Sequence, residues 1–106
     1  MNSHVVDKQK WAKMTMFEQM GNIGSEVGRA LSAKARGDAS SMNSAMYRGL
    51  DLIDITSALW ARDYPYRNKE LLRAREQLVQ SITTSNQDKT LEAYFMNFAV
   101  AARLDR

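Results

Sequence analysis

Apolar residues recur three and four positions apart in four separate stretches of this chain, and no stretch alternates apolar with polar residues between turn signals. That spacing puts the apolar side chains on one face of a helix and leaves nothing to build a half-buried strand. The first stripe is Phe17, Met20, Ile23, Gly24, Val27, Ala30 and Leu31, and the second is Met42, Ala45, Met46, Gly49, Leu50, Ile53, Thr56 and Leu59. Leu71, Leu72, Leu78, Val79 and Ile82 make the third, and Leu91, Tyr94, Phe95, Phe98, Ala99 and Ala102 the fourth. The single proline, Pro65, fits between the second and third stripes, at the one helical turn that tolerates it.

The boundaries carry their own signals. Thr15 followed by Glu18 is a capping-box pair, in which hydroxyl and carboxylate each satisfy a backbone N–H at a helix start. Lys34 and Arg36 suit the last turn, where cations meet the negative helix end, and Gly37 supplies a left-handed terminating residue. Residues 38–41 offer several N-caps, and 83–89 read as a polar linker. Four amphipathic helices on short connections predict an all-α fold, an antiparallel four-helix up-and-down bundle with unequal helices. Residues 1–14 are read as an N-terminal extension compatible with helix, and 15–106 as one domain, since 106 residues suffice for one core and not two. At about 1.5 Å per residue the first helix spans ~33 Å and the last ~20 Å, so part of the bundle groove is expected to stay open for a partner subunit. Seven methionines would make an adaptable surface for that contact.

The inventory excludes several chemistries. No cysteine means no disulfide framework, no thiolate metal site and no cysteine nucleophile. One histidine, His4, rules out a histidine cluster or a Ser-His-Asp triad within a single chain. No apolar run approaches the ~20 residues of a membrane helix and no signal-peptide core follows the start, so a cytoplasmic protein without membrane contact is expected. Fifteen Lys and Arg against twelve Asp and Glu give a net charge of +3. The surplus leans on 62–75, where Arg62, Arg67, Lys69 and Arg73 interleave with Trp60, Tyr64 and Tyr66. Basic residues among aromatics are suited to phosphates and stacked bases, whereas the plainer reading is a solvated helix entry.

Three further features stand out. Gly21, Gly24 and Gly28 lie three and four apart within the first helix, where each costs about 1 kcal/mol relative to alanine. Their smooth strip points to close approach of another helix or a large ring, with Gly49 as a complementary small position. A phosphate-loop reading lacks the preceding strand it needs. Arg75 stands four after Leu71 and three before Leu78, in the third apolar stripe, and a charge there must be paired or must snorkel. Glu26, Asp51 and Asp54 are its candidate partners, in a buried or boundary polar network that would hold helices in register; the functional alternative is an anion-binding arginine in an open groove. Asp51 and Asp54 lie one turn apart, but bundle metal cages draw on Glu-x-x-His ligands that this chain lacks, so no metal, cofactor or catalytic residue is assigned.

The run from Met14 to Met20 leading into GNIGSEVGRA, then AMYRGLDLIDIT, KELLRAREQL and AYFMNFAVAAR, resembles a family of small, functionally uncharacterised prokaryotic helical proteins over residues 14–104. More loosely the chain is similar to HEPN-type helical domains, a resemblance that implies pairing with a nucleotidyltransferase-like protein in a two-component system. Ribonuclease members of that class carry an arginine followed a few residues later by histidine in a late helix; Arg103 is followed by Leu104, Asp105 and Arg106, and neither Arg73 nor Arg75 has a histidine after it. Without that histidine the resemblance does not extend to the ribonuclease motif and stays open to a non-catalytic relative. The expectation is a non-enzymatic interaction module, homodimeric or part of a two-protein system. The alternative is a nucleic-acid- or nucleotide-binding helical domain, a degenerate nuclease relative among them, using Arg62, Arg67, Lys69 and Arg73.

Overall fold

A computed structural model describes residues 7–84, 91 and 93–95, and all the regular structure among them is helical. The helices are α1 (Lys8–Ala12), α2 (Met16–Ala35), α3 (Ala39–Asp63) and α4 (Pro65–Thr83). Leu91 and residues 93–95 are helical as well; the rest of the fourth stripe, His4 and residues 85–89 lie outside the described residues. Among the described residues no helix is long and apolar enough to cross a membrane.

Local chemistry sets the ends. The Thr15 hydroxyl accepts from the Glu18 N–H at 3.1 Å, and the Glu18 carboxylate accepts from the Thr15 N–H at 2.9 Å, closing the capping box that starts α2. Gly37, at φ +74°, turns the chain after α2. Asp38 then takes the cap of α3 by accepting from the Ser41 N–H at 3.1 Å, so that helix begins three residues before its first apolar stripe residue, Met42. Only Tyr64 separates α3 from α4, which opens on Pro65.

Helices α2, α3 and α4 pack against one another around Met20, Ile23, Val27, Leu31, Ile53, Leu71 and Leu78, with Leu91 and Phe95 closing the core. Along α2 and α3 the paired residues run in opposite senses: Gln19 with Trp60, then Glu26 with Arg48. The α4 face differs from the expected stripe. Leu71, Ala74, Leu78, Ser81 and Ile82 are buried, whereas Leu72 is 41% exposed and Val79 only half-buried. The rotation follows from size and charge. Small Ala74 and Ser81 allow close packing, and the turn leaves Arg75 at the edge of the interface, where its guanidinium stays hydrated. Lys34 reaches past its own helix end to donate to the carbonyls of Ser81 and Thr84 at the end of α4.

Within α1 only Trp11 is buried, and hydrogen bonds tie it to the core. Its indole N–H donates to the Thr56 hydroxyl at 2.9 Å, which in turn donates to the Leu52 carbonyl at 2.7 Å. Gln19 sits between the two indoles: its amide N–H donates to the Trp11 carbonyl at 2.9 Å, and its oxygen accepts from the Trp60 indole at 3.1 Å. Thr56→Val keeps the shape but strands the Trp11 indole. The expected loss is about 1–3 kcal/mol, read from urea unfolding.

The helix glycines do different jobs. A Cβ on Gly24 would lie 2.6 Å from the Phe95 Cβ, so α2 meets the Phe95 segment there at a distance only glycine permits. Gly49 faces Glu26 and Leu78 at ordinary contact distance, and a Cβ on Gly28 would meet open space. Gly24→Ala is therefore expected to destabilise by about 1–3 kcal/mol despite its better helix propensity. Gly28→Ala should stabilise by up to about 1 kcal/mol, and the two urea midpoints should move in opposite directions.

Candidate functional site

Ser25, Arg29, Ser32 and Arg36 follow one another four, three and four residues apart, which lines them along one outer face of α2. On the first half of α3, Ser40, Ser44 and Arg48 stand four apart, with Ser41 next to Ser40, and all four line the same side. The tight turn at Gly37 folds the end of α2 against the start of α3 and brings the two polar faces to a shared cleft of about 740 Å³. Gly28 gives the cleft a floor without a side chain, and buried Ala45 lies at its base.

Behind the cleft stands Glu26, 8% exposed. One carboxylate oxygen accepts from Arg29 Nη1 at 3.0 Å and the other from Arg48 Nε at 2.9 Å. Burial disfavours its charge, but the hydrogen bonds from Arg48 and Arg29, with their positive charges, outweigh that and hold the carboxyl below its ordinary value. Arg36 Nη1 donates to the Ser32 hydroxyl at 3.0 Å, and its Nη2 lies 3.7 Å from Asp38. The Asp38 carboxyl is itself lowered, chiefly by its hydrogen bonds from Ser41, with a smaller contribution from Arg36. A guanidinium carries five N–H donors, and Glu26 takes one from Arg29 and one from Arg48. The carboxylate thus orients two arginines and leaves most of their donors for a ligand. Such a constellation suits an oxyanion, which accepts several convergent charged hydrogen bonds. It does not suit proton abstraction, because a carboxyl pinned by two arginines is a weak base. A smaller cleft of about 310 Å³ adjoins the first, sharing Ser25 and Arg29 and bounded by Lys10 and Asn22.

The residues singled out from sequence fall into separate places. Arg75 pairs with Asp54 through two hydrogen bonds of 2.8 and 3.3 Å, at the α3–α4 boundary. The side chains are 37% and 54% exposed, a pair that holds two helices in register and contributes little net stability. Glu26 is not a partner of Arg75, and exposed Asp51 belongs to neither pair. The expected single network is two separate ones because Glu26, on α2, bonds to Arg29 of its own helix and to Arg48 of α3, whereas Asp54, on α3, bonds to Arg75 of α4. Gly21 is half-buried in α2, where its carbonyl accepts from the Ser25 hydroxyl at 3.1 Å. Arg62, Arg67, Lys69 and Arg73 are exposed around the α3–α4 corner, Arg67 bonded to Glu70 at 3.0 Å, and none of the four lines the α2–α3 cleft. Among the described residues no group of three or more His, Asp or Glu is placed to hold a metal ion. The arginine–serine faces are the features sequence reading missed. Their signal was the spacing of serines and arginines on the polar sides of the first two stripes, around a glycine with no apolar role.

A carboxyl lowered on folding contributes stability above its ordinary value of 4.5 and loses it as pH falls through the lowered value. Wild type is therefore expected to be more stable than Glu26→Gln by a constant margin near neutrality. That margin should close on acidification below about 4.5, followed by thermal unfolding across pH. No protein-family model, curated protein or solved structure significantly matches the chain.

Proposed function

We propose that this chain is a helical binding module that holds a phosphate-bearing ligand in the cleft between α2 and α3. The observation that carries this reading is the convergence of Arg29, Arg36 and Arg48 with serine hydroxyls on a glycine-floored cleft, two of the arginines oriented by a buried carboxylate. The interaction module expected from sequence thus takes a narrower form, and the anion contact moves from the α3–α4 corner to the α2–α3 cleft. Binding, not catalysis, is the reading because the cleft offers donors and hydroxyls around a carboxylate already engaged by two cations. The scaffold in this proposal is an antiparallel bundle completed by the fourth apolar stripe. Its support is the opposed order of the α2–α3 pairs and of the α3–α4 pairs, Asp54 with Arg75 and Ser57 with Asn68.

Titration with inorganic phosphate and pyrophosphate, followed by calorimetry and by amide shifts in NMR, tests the proposal. Shifts are expected in residues 25–48, with affinity falling as salt rises. Arg48→Ala and Arg29→Ala should each weaken binding about tenfold or more, the scale of a charged hydrogen bond. Arg73→Ala, at the α3–α4 corner, should leave it unchanged. Phosphate binding that survives the double substitution at Arg29 and Arg48 sinks the reading.

A further inference from the structure

The polar line on α2 does not stop at the large cleft. Asn22 stands three residues before Ser25 and extends that line by one turn, toward α1. There Asp7 and Lys10 join it around the smaller cleft of about 310 Å³, and Ser25 and Arg29 line both clefts. The polar lining of the smaller cleft is rich in acceptors. Asn22 spends its Nδ2 on the Glu18 carbonyl at 2.8 Å and on Met14 Sδ at 3.9 Å, which leaves the amide oxygen to accept. The Ser25 hydroxyl donates to the Gly21 carbonyl and keeps its lone pairs. One Asp7 oxygen accepts from the Lys10 N–H at 3.1 Å, leaving the other. Lys10 and Arg29 supply donors, and Met14 and Leu52 add apolar surface.

Charge and lining restrict what the two clefts can share. Three guanidiniums line the large cleft, and the carboxylates of Glu26 and Asp38 offset two of them. In the smaller cleft Lys10 and Asp7 cancel. The surplus of about one positive charge matches one phosphate group with a neutral body attached, and not a second anion. The body is not a stacked base, because the one aromatic residue in the smaller cleft, Trp11, is only 5% exposed and offers no open ring face. Mixed acceptors and donors beside apolar surface suit hydroxyl groups, which donate and accept at once, on a carbon frame whose C–H groups meet Met14 and Leu52.

Resting on the phosphate reading of the large cleft, we infer that the ligand is a sugar phosphate, its phosphate in the large cleft and its hydroxylated body in the smaller one. Arg29 and Ser25, common to both clefts, hold the junction where phosphate meets sugar. Asn22, Asp7 and Lys10 then read the hydroxyls.

The test compares ethyl phosphate, which carries the ester but no hydroxyls, with ribose 5-phosphate and glucose 6-phosphate, by calorimetry and amide shifts in NMR on the full chain. At least one sugar phosphate is expected to bind about tenfold or more tighter than ethyl phosphate, the scale of one or two added hydrogen bonds. Its shifts should reach Lys10 and Asn22 as well as residues 25–48, whereas those of ethyl phosphate should stay within 25–48. Asn22→Ala should cut the sugar advantage about threefold or more and leave ethyl phosphate binding unchanged, since Asn22 lines the smaller cleft alone. Asn22 is exposed, and circular dichroism should show the variant folded. Equal affinity for ethyl phosphate and both sugar phosphates overturns the inference and leaves the phosphate reading standing. So does a sugar advantage that Asn22→Ala leaves intact, with no shift at Lys10 or Asn22. Failure of all three ligands to bind overturns both readings.

Discussion

The arrangement of the first three helices depends on one set of buried hydrogen bonds centred on Trp11, whose indole donates to Thr56 and whose backbone carbonyl accepts from Gln19, itself the acceptor of the Trp60 indole. Burying two indole N–H groups and a glutamine amide without partners would cost several kcal/mol. With the partners in place, the same groups allow one register of α1, α2 and α3. An apolar core alone is less selective, since dispersion and area burial tolerate sliding by a turn far better than a directional bond does. The network also explains how a five-residue helix too short to hold itself together stays in place.

From that register the cleft follows. Once Gln19 is opposite Trp60, the hairpin at Gly37 sets Glu26 against Arg48 and Gly49 further along the same two helices. Glu26 then has two roles that are hard to separate. Its ion pair with Arg48 holds α2 to α3, and its pairs with Arg29 and Arg48 orient two guanidiniums that line the cleft. Gly28 illustrates the cost of the cleft: a helix glycine with open space before it gives up helix stability, a loss consistent with keeping room for a ligand.

Much of the fold was legible in residue spacing. The capping box at Thr15 and Glu18, the glycine turn at Gly37 and proline at the first position of α4 are local devices with local signatures, and they stand where their signals put them. The site was less legible. Spacing makes Arg75 central only when Leu72 and Val79 share its stripe. Their half-exposure, and the burial of Ala74 and Ser81, turn α4 so that the arginine lies at a boundary. The α3–α4 corner drew attention through charge density in sequence, yet density along the chain does not by itself create convergence in space.

Sequence by itself determined the helices, their caps and the exclusion of thiol and histidine-cluster chemistry, because a helix's periodicity and its end groups are properties of residues within a few positions of one another. Tertiary structure alone decided which polar residues meet. Trp11 with Thr56, Glu26 with Arg48, and the glycine at 24 with Phe95 are separated by tens of residues, and their pairing depends on helix rotation and register. Those in turn are set by small side chains and directional bonds at the interfaces, which leave no periodic trace in the sequence.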